Sequence, residues 1–122
     1  MVQLYNPNIV GKQIIIDVKN IECDKLKRVE DIEPFLDKIV EELKLSVVDK
    51  CSHQFEPHGA TIVYLLSESH LSLHTFVDEG KLTIDLFSCN LSTEFDKIKK
   101  IICEYLEVHA LSINSYHFTR GD

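Results

Sequence analysis

Residues 60–89 read ATIVYLLSESHLSLHTFVDEGKLTIDLFSC and carry the strongest indication of the fold class. It opens with an apolar run rich in strand-forming residues over positions 60–66, and apolar and polar residues then alternate over 70–76 and 81–89. Alternation with a period of two is typical of strands that bury one face. Asp-Glu-Gly at positions 78–80 is a turn signal between the last two runs. Strands joined by such short turns pair antiparallel, so the stretch predicts the centre of a mainly antiparallel sheet.

The sequence before this stretch predicts a strand, a helix and a further strand. Residues 14–18 form a β-branched run after Gly11, and residues 45–55 become strand-like before the turn signal Glu-Pro-His-Gly. Between these two strands, apolar residues recur at steps of three and four, which predicts an amphipathic helix with Pro34 in its first turn. The apolar stripe consists of Ile32, Phe35, Leu36, Ile39, Val40 and Leu43.

The sequence after the stretch predicts a second helix and a last strand. Ser92 or Thr93 is positioned to cap the helix, and residues 111–118 form the strand. The helix stripe consists of Phe95, Ile98, Ile101, Ile102, Tyr105 and Leu106. The predicted fold class is α+β, a two-layer sandwich with two helices on one face of the sheet. We expect the other sheet face to be apolar and to be buried in a twofold dimer, giving a four-layer αββα arrangement.

Composition indicates one soluble globular domain over residues 1–122. Thirteen Lys and Arg against 20 Asp and Glu give a net charge of −7, which disfavours nucleic acid and tolerates a cationic small molecule. No apolar run is long enough to span a membrane, and the N-terminus does not resemble a signal peptide, so we expect a cytoplasmic protein. The four cysteines form no CxxC pair, so neither a metal site nor a disulfide scaffold is expected.

Reactive side chains are concentrated in residues 66–76 and 85–89. Hydroxyls, imidazoles, a carboxylate and a thiol on neighbouring strands can support nucleophilic or acid–base chemistry. On composition alone, the same residues are also compatible with an unreactive, solvent-facing strand surface. The spacing of His70 and His74 does not indicate third and fourth metal ligands.

A motif in this region resembles a known family. Residues 68–76, ESHLSLHTF, and residues 85–89, DLFSC, closely resemble the short prokaryotic type of S-adenosylmethionine decarboxylase proenzyme. Gly11-Lys12, the FEPHG sequence of residues 55–59 and the chain length are also similar, and Cys89 follows Ser69 by 20 residues. The combination of ESH, a further histidine and a cysteine at this spacing is specific.

The resemblance implies a precursor that cleaves itself between Glu68 and Ser69. In the family's reaction the serine hydroxyl attacks the preceding carbonyl, and β-elimination and hydrolysis convert residue 69 into a covalent pyruvoyl group. The products would be a beta chain of residues 1–68 and an alpha chain of residues 69–122. His74 matches the proton acceptor of processing and Thr61 a processing hydroxyl. Ser69 is at an odd and His74 at an even position, so in a regular strand their side chains would point to opposite faces of the sheet. We therefore expect a turn or bulge near Glu68-Ser69.

The resemblance also implies how substrate is bound and decarboxylated. The substrate amine would form a Schiff base with the pyruvoyl ketone, which replaces a separately bound cofactor. Cys89 matches the proton donor of decarboxylation, and an ordinary cysteine thiol is protonated at neutral pH. Phe55 and Phe76 match aromatic residues that sandwich the adenine of S-adenosylmethionine. Asp78 stands where the family usually has a glutamate that binds the ribose hydroxyls, and a homodimer is the expected assembly.

Several positions depart from the family pattern. Phe76-Val77-Asp78 replaces the common Trp-Pro-Glu, which shortens the acid, and Ile62 replaces a glycine next to the processing hydroxyl. Gln13 stands where a histidine often follows Gly-Lys. None of these changes touches Ser69, His74 or Cys89.

Three functions remain open from the sequence. The first is a decarboxylase acting on S-adenosylmethionine to make the aminopropyl donor for spermidine biosynthesis. The second is a related pyruvoyl enzyme acting on ornithine or arginine, which a loosened ribose site would favour. The third is an uncleaved, non-enzymatic regulatory partner, against which the retained reactive residues argue.

Overall fold

A computed structural model describes residues 11–89 and 94–121 of the chain. Its helices and strands are β1 Gly11–Val18, α1 Val29–Glu42, β2 Val47–Gln54, β3 Ala60–Leu66, β4 Ser69–Phe76, β5 Lys81–Ser88, α2 Phe95–Leu106 and β6 Ile113–Arg120. The strands form one sheet in the order β2-β3-β4-β5-β1-β6, and every neighbouring pair is antiparallel. The predicted α+β fold with an antiparallel sheet and two helices is confirmed.

The core lies between the helices and one face of the sheet. Alternate residues of each central strand point into it, such as Leu71 and Leu73 on β4, both fully buried. They pack with the apolar stripes of α1 and α2, whose buried members include Phe35 and Ile102. Complete burial of each such side chain contributes roughly 1.5–3 kcal/mol. This packing fixes which strand residues face away from the helices.

The other face of the sheet, here called the outer face, is not covered by any helix of the described residues. The sequence predicted that it would be apolar, but it is mixed. It carries exposed Leu65 and Phe76, and also His74, Thr83 and Asp85. The polar residues alternate with core residues as a half-buried strand requires, so alternation alone did not determine how apolar this face would be.

Helix α1 begins earlier than the sequence suggested. It starts at Val29, so Pro34 lies inside the helix rather than in its first turn. The cause is a tertiary contact, because the Gln54 side chain accepts a hydrogen bond from Val29 N at 2.8 Å and donates to Lys27 O at 2.8 Å. Gln54 thereby satisfies an otherwise unpaired amide of the first turn, which lets the helix extend towards its N-terminus. The predicted Ser92 or Thr93 cap of α2 lies outside the described residues.

Within residues 11–89 and 94–121, neither helix has the length and apolar character needed to cross a membrane.

Candidate active site

A tight turn places the predicted cleavage position at one end of the sheet. β3 ends at Leu66 and β4 begins at Ser69, and these two residues are paired, so Ser67 and Glu68 form a two-residue turn. Directly beyond the end of β5, the Cys89 thiol donates a hydrogen bond to the Glu68 carbonyl oxygen, with Sγ and O 2.8 Å apart. Glu68, Ser69 and Cys89 are here called the cleavage corner.

A second reactive pair lies in the middle of the outer face. Thr61 on β3 is directly opposite His74 on β4, and Thr61 Oγ1 is 3.0 Å from His74 Nδ1. The register places His53 of β2 on the other side of Thr61, so the hydroxyl stands between two histidines. Antiparallel pairing of residues of matching parity explains why the side chains meet.

The cleavage corner and the Thr61–His74 pair are far apart within one chain. β4 pairs without a bulge with β3 over residues 69–74 and with β5 over residues 70–76, and Ser69 and His74 lie five residues apart in it. At the rise of an extended strand this separation is about 17 Å. Alternation also directs Ser69 towards the helix side and His74 towards the outer face. The turn lies at Ser67-Glu68 and precedes the strand, and Ser69 is already paired in β4. The expectation that a turn or bulge near Glu68-Ser69 would bring Ser69 to His74 is therefore wrong.

The predicted substrate-binding residues cluster at the opposite end of β4 from Ser69. Phe55 follows β2 and Phe76 ends β4, and both rings are about half exposed. The Phe55 ring contacts the edge of His53, with centroids 4.6 Å apart. Asp78 lies in the short 3₁₀ turn after β4, where its Oδ1 is 3.2 Å from His58 Nε2. Phe55, Phe76 and Asp78 therefore belong with the Thr61–His74 pair rather than with the cleavage corner.

An open groove of about 470 Å³ extends from Phe76 across the outer face. Thr83, Asp17 and Asn114 continue its floor over β5, β1 and β6, and Glu79 and Lys81 stand at its rim. Thr83 donates a hydrogen bond of 2.8 Å to Asp17 Oδ1. Lys19 also lines the groove, so its two carboxylates, Asp17 and Glu79, are balanced by two ammonium groups, Lys19 and Lys81.

A histidine–carboxylate pair beside the cleavage corner was not assigned from the sequence. His70 Nε2 is 3.7 Å from Asp85 Oδ1, and the Gln13 amide donates to both oxygens of Asp85 at 3.1 and 3.3 Å. The His70 ring also stacks on Phe87. His70 and Asp85 both lie in the family motifs and meet because β4 pairs with β5. The Gln13 contact depends on β1 pairing with β5, which no local pattern indicates.

Two of the departures from the family pattern have clear structural outcomes. Ile62 is fully buried on the helix side of β3, so its side chain does not crowd the Thr61 hydroxyl on the outer face. Gln13 holds Asp85 across the β1–β5 pair. Neither change disturbs the Thr61–His74 contact.

Comparison with known families gives a match over almost the whole chain. The sequence model of the family described as S-adenosylmethionine decarboxylase matches residues 12–121. The chain belongs to the S-adenosylmethionine decarboxylase family. The resemblance drawn from the ESH and DLFSC motifs is therefore confirmed.

Individual members of the S-adenosylmethionine decarboxylase family support the same assignment. The S-adenosylmethionine decarboxylase proenzyme of Aquifex aeolicus is 41% identical over 80 residues, which cover 66% of this chain and 59% of the relative. The matched part of the chain thus spans less than two thirds of that relative's length. The proenzyme of the same name from Archaeoglobus fulgidus is 30% identical over 113 residues, covering 93% of this chain and 99% of the relative.

A solved structure of the family has the same architecture. The crystal structure of the adenosylmethionine decarboxylase from Aquifex aeolicus superposes with a TM-score of 0.82 at 31% sequence identity. The match covers 94% of this chain and 93% of that chain.

Proposed function

We propose that this chain is a self-processing, pyruvoyl-dependent S-adenosylmethionine decarboxylase, which releases CO2 and makes the aminopropyl donor for spermidine biosynthesis. The names of its relatives support this substrate over ornithine or arginine. The word proenzyme in those names supports cleavage over the uncleaved regulatory alternative. A cytoplasmic location stays a prediction from the sequence.

The contact between Cys89 and Glu68 is the observation that carries the proposal. Cleavage begins when Ser69 Oγ bonds to the Glu68 carbonyl carbon and the peptide C–N bond breaks, leaving an ester. An amide carbonyl is a poor electrophile, so the step needs a hydrogen-bond donor on its oxygen. The Cys89 thiol, 2.8 Å from that oxygen, is such a donor. Completion of the reaction would divide the domain into residues 1–68 and 69–122.

The Thr61–His74 contact supports a proton-transfer role for both residues. If His74 Nδ1–H donates to Thr61 Oγ1, then Nε2 has a free lone pair and can accept the Cα proton of residue 69. In the same tautomer the Thr61 hydroxyl proton is free to bond the oxygen that develops negative charge. One hydrogen bond thus prepares both groups for the two steps of cleavage.

The separation of the two clusters supports a functional site made by two copies of the chain. The cleavage corner and the Thr61–His74 pair are about 17 Å apart on one sheet, too far for either to act on the other. A twofold dimer that stacks the uncovered outer faces would bring the corner of one protomer to the pair of its partner. The expected homodimer would then be part of the chemistry as well as a cover for Leu65 and Phe76.

The residues around Ser69 fit the expected pyruvoyl group. Residue 69 begins β4 immediately after the turn, so cleavage would leave it at a free chain end. The group would supply an electron sink for the pair released as CO2 leaves. Cys89 lies directly beyond the end of β5 and contacts the carbonyl that precedes residue 69, so it would be placed near that chain end to give a proton to the substrate carbon.

The far end of the outer face is the proposed position of the nucleoside part of the substrate. Phe55 and Phe76 expose flat rings suited to stacking on adenine, and the Asp78 carboxylate can accept hydrogen bonds from ribose hydroxyls.

Intact-mass measurement and CO2 release together test the proposal. We expect the purified protein to give two chains that end at Glu68 and begin at a modified residue 69, and to release CO2 from S-adenosylmethionine. Ornithine and arginine are assayed in parallel. A single species with unmodified Ser69 after prolonged incubation would exclude processing, and CO2 from an amino acid alone would exclude the proposed substrate.

A further inference from the structure

One contact joins the two turns that carry the proposed nucleoside-binding residues. His58 lies in the turn between β2 and β3, three residues after Phe55, and Asp78 lies in the turn between β4 and β5, two residues after Phe76. His58 Nε2 and Asp78 Oδ1 are 3.2 Å apart. The His58 side chain is 29% exposed, whereas 92% of the Asp78 side chain is exposed. The less exposed imidazole therefore contacts a carboxylate that projects into solvent.

Both turns are anchored to the rest of the fold. Gly59 N donates to Lys27 O at 2.9 Å, and Ala60 N donates to the Thr75 hydroxyl at 2.9 Å, which ties the His58 turn to β4. The Asp78 turn is closed by Gly80, whose carbonyl accepts a hydrogen bond from Ile21 N at 2.9 Å. With both backbones held, the His58–Asp78 contact determines the direction of the carboxylate.

The nearest other cation is engaged elsewhere. The Lys27 ammonium is 2.8 Å from Asp24 and is only an electrostatic neighbour of Asp78. His58 is therefore the donor that contacts Asp78 among the described residues. Its hydrogen bond occupies Oδ1 and leaves Oδ2 to accept from a ligand.

We propose that His58 is a positioning residue that orients Asp78 towards the ribose hydroxyls of the substrate. This inference rests on the proposed function. An aspartate is one methylene shorter than the glutamate usual at this position, so its carboxylate reaches less far and gains more from a fixed direction. His58 acts through Asp78 and makes no contact with the reacting atoms.

Steady-state kinetics of the cleaved enzyme is the primary test. We expect His58→Ala to raise KM for S-adenosylmethionine about threefold to tenfold. This change lies between the loss expected for an exposed ion pair and the loss expected for a hydrogen bond to a charged group. The value of kcat and the extent of self-cleavage should not change, because Ser69 lies at the other end of β4. His58→Gln should restore most of the affinity, since its amide nitrogen can donate to Asp78. His109→Ala removes an exposed histidine that caps the 3₁₀ turn Ala110–Ser112, outside the two turns of the proposed nucleoside site, and serves as the control.

Two further measurements distinguish a positioning role of His58 from a general structural effect of its replacement. One compares ligands with and without ribose hydroxyls, and the other compares single and double variants. Binding of S-adenosylmethionine and its 2′,3′-dideoxy analogue is measured by calorimetry on the uncleavable Ser69→Ala protein. We expect His58→Ala to weaken the first ligand and not the second, and to have no further effect in an Asp78→Asn background. Equal weakening of both ligands, an additive effect with Asp78→Asn, or an unchanged KM would each overturn the inference. Failure of the proposed function can be distinguished from failure of this inference, because in the first case the wild-type protein itself would not decarboxylate S-adenosylmethionine.

Discussion

Replacing Thr61 by valine tests the role of its hydroxyl in cleavage. Valine keeps the branched shape but removes the group that contacts His74 Nδ1 at 3.0 Å. Loss of a donor that stabilises a developing oxyanion slows acyl transfer about 100- to 1000-fold. The same loss costs only about 1 kcal/mol of folding free energy, a small part of the roughly 5–15 kcal/mol that holds a domain. We therefore expect a folded precursor that accumulates uncleaved.

The assay is the rate at which the chains of residues 1–68 and 69–122 appear in the intact-mass spectrum of freshly purified precursor. Thr61→Ser is the matched control, because it keeps the hydroxyl and loses only a methyl group, and it should cleave at close to the wild-type rate. Thermal unfolding confirms that both variants are folded. Cleavage of Thr61→Val at the wild-type rate would refute the role given to the hydroxyl.

Two predictions concern the stability of the fold around the site. Both are measured by urea unfolding of the uncleavable Ser69→Ala protein. Gly80 has φ +63°, and a Cβ there would lie 2.7 Å from the Ile21 carbonyl oxygen. Gly80→Ala should therefore lower the free energy of unfolding by about 1–3 kcal/mol. An unchanged urea midpoint would contradict this prediction. Tyr64→Phe removes a hydrogen bond to Asp37 and should cost about 1.5 kcal/mol at neutral pH. Burial raises the pKa of Asp37, but hydrogen bonds, one of them from Tyr64, outweigh it and lower the pKa overall. The stabilisation that the Asp37 carboxylate contributes is present above its unfolded-state pKa and is lost as pH falls through its lowered folded-state pKa. The difference in free energy of unfolding between wild type and Tyr64→Phe should therefore disappear in acid. A difference that stays constant with pH would contradict this role of Asp37.

Much of the fold was predictable because local periodicity reports directly on burial. The alternation of residues 70–76 predicted a strand that buries one face, and in β4 Leu71 and Leu73 are buried in the core while His74 lies on the other face. The three- and four-residue spacing in the last third of the chain located α2, which begins at Phe95 and ends at Leu106. The spacing of apolar residues and the residue types of turns depend only on neighbouring positions in the sequence, so both can be recognised without knowledge of the fold.

The parts that could not be predicted depend on contacts between distant segments. Gln13 meets Asp85 across 72 residues only because β1 inserts between β5 and β6. The early start of α1 depends on Gln54, which is 25 residues further along the chain. The opposite parity of Ser69 and His74 was visible in the sequence, but their separation became informative only when β4 proved regular along its whole length.

Co-expression of two inactive variants tests most directly whether two copies of the chain build the site. Ser69→Ala removes the cleavage position from one copy, and His74→Ala removes the proton acceptor from the other. In a mixed dimer, the outer face that carries His74 of the first copy would lie near the cleavage corner of the second. With random pairing of equal amounts, about half of the His74→Ala chains should be cleaved, whereas neither variant is cleaved alone. Purified mixed dimers in which the His74→Ala chain stays intact would contradict a shared site.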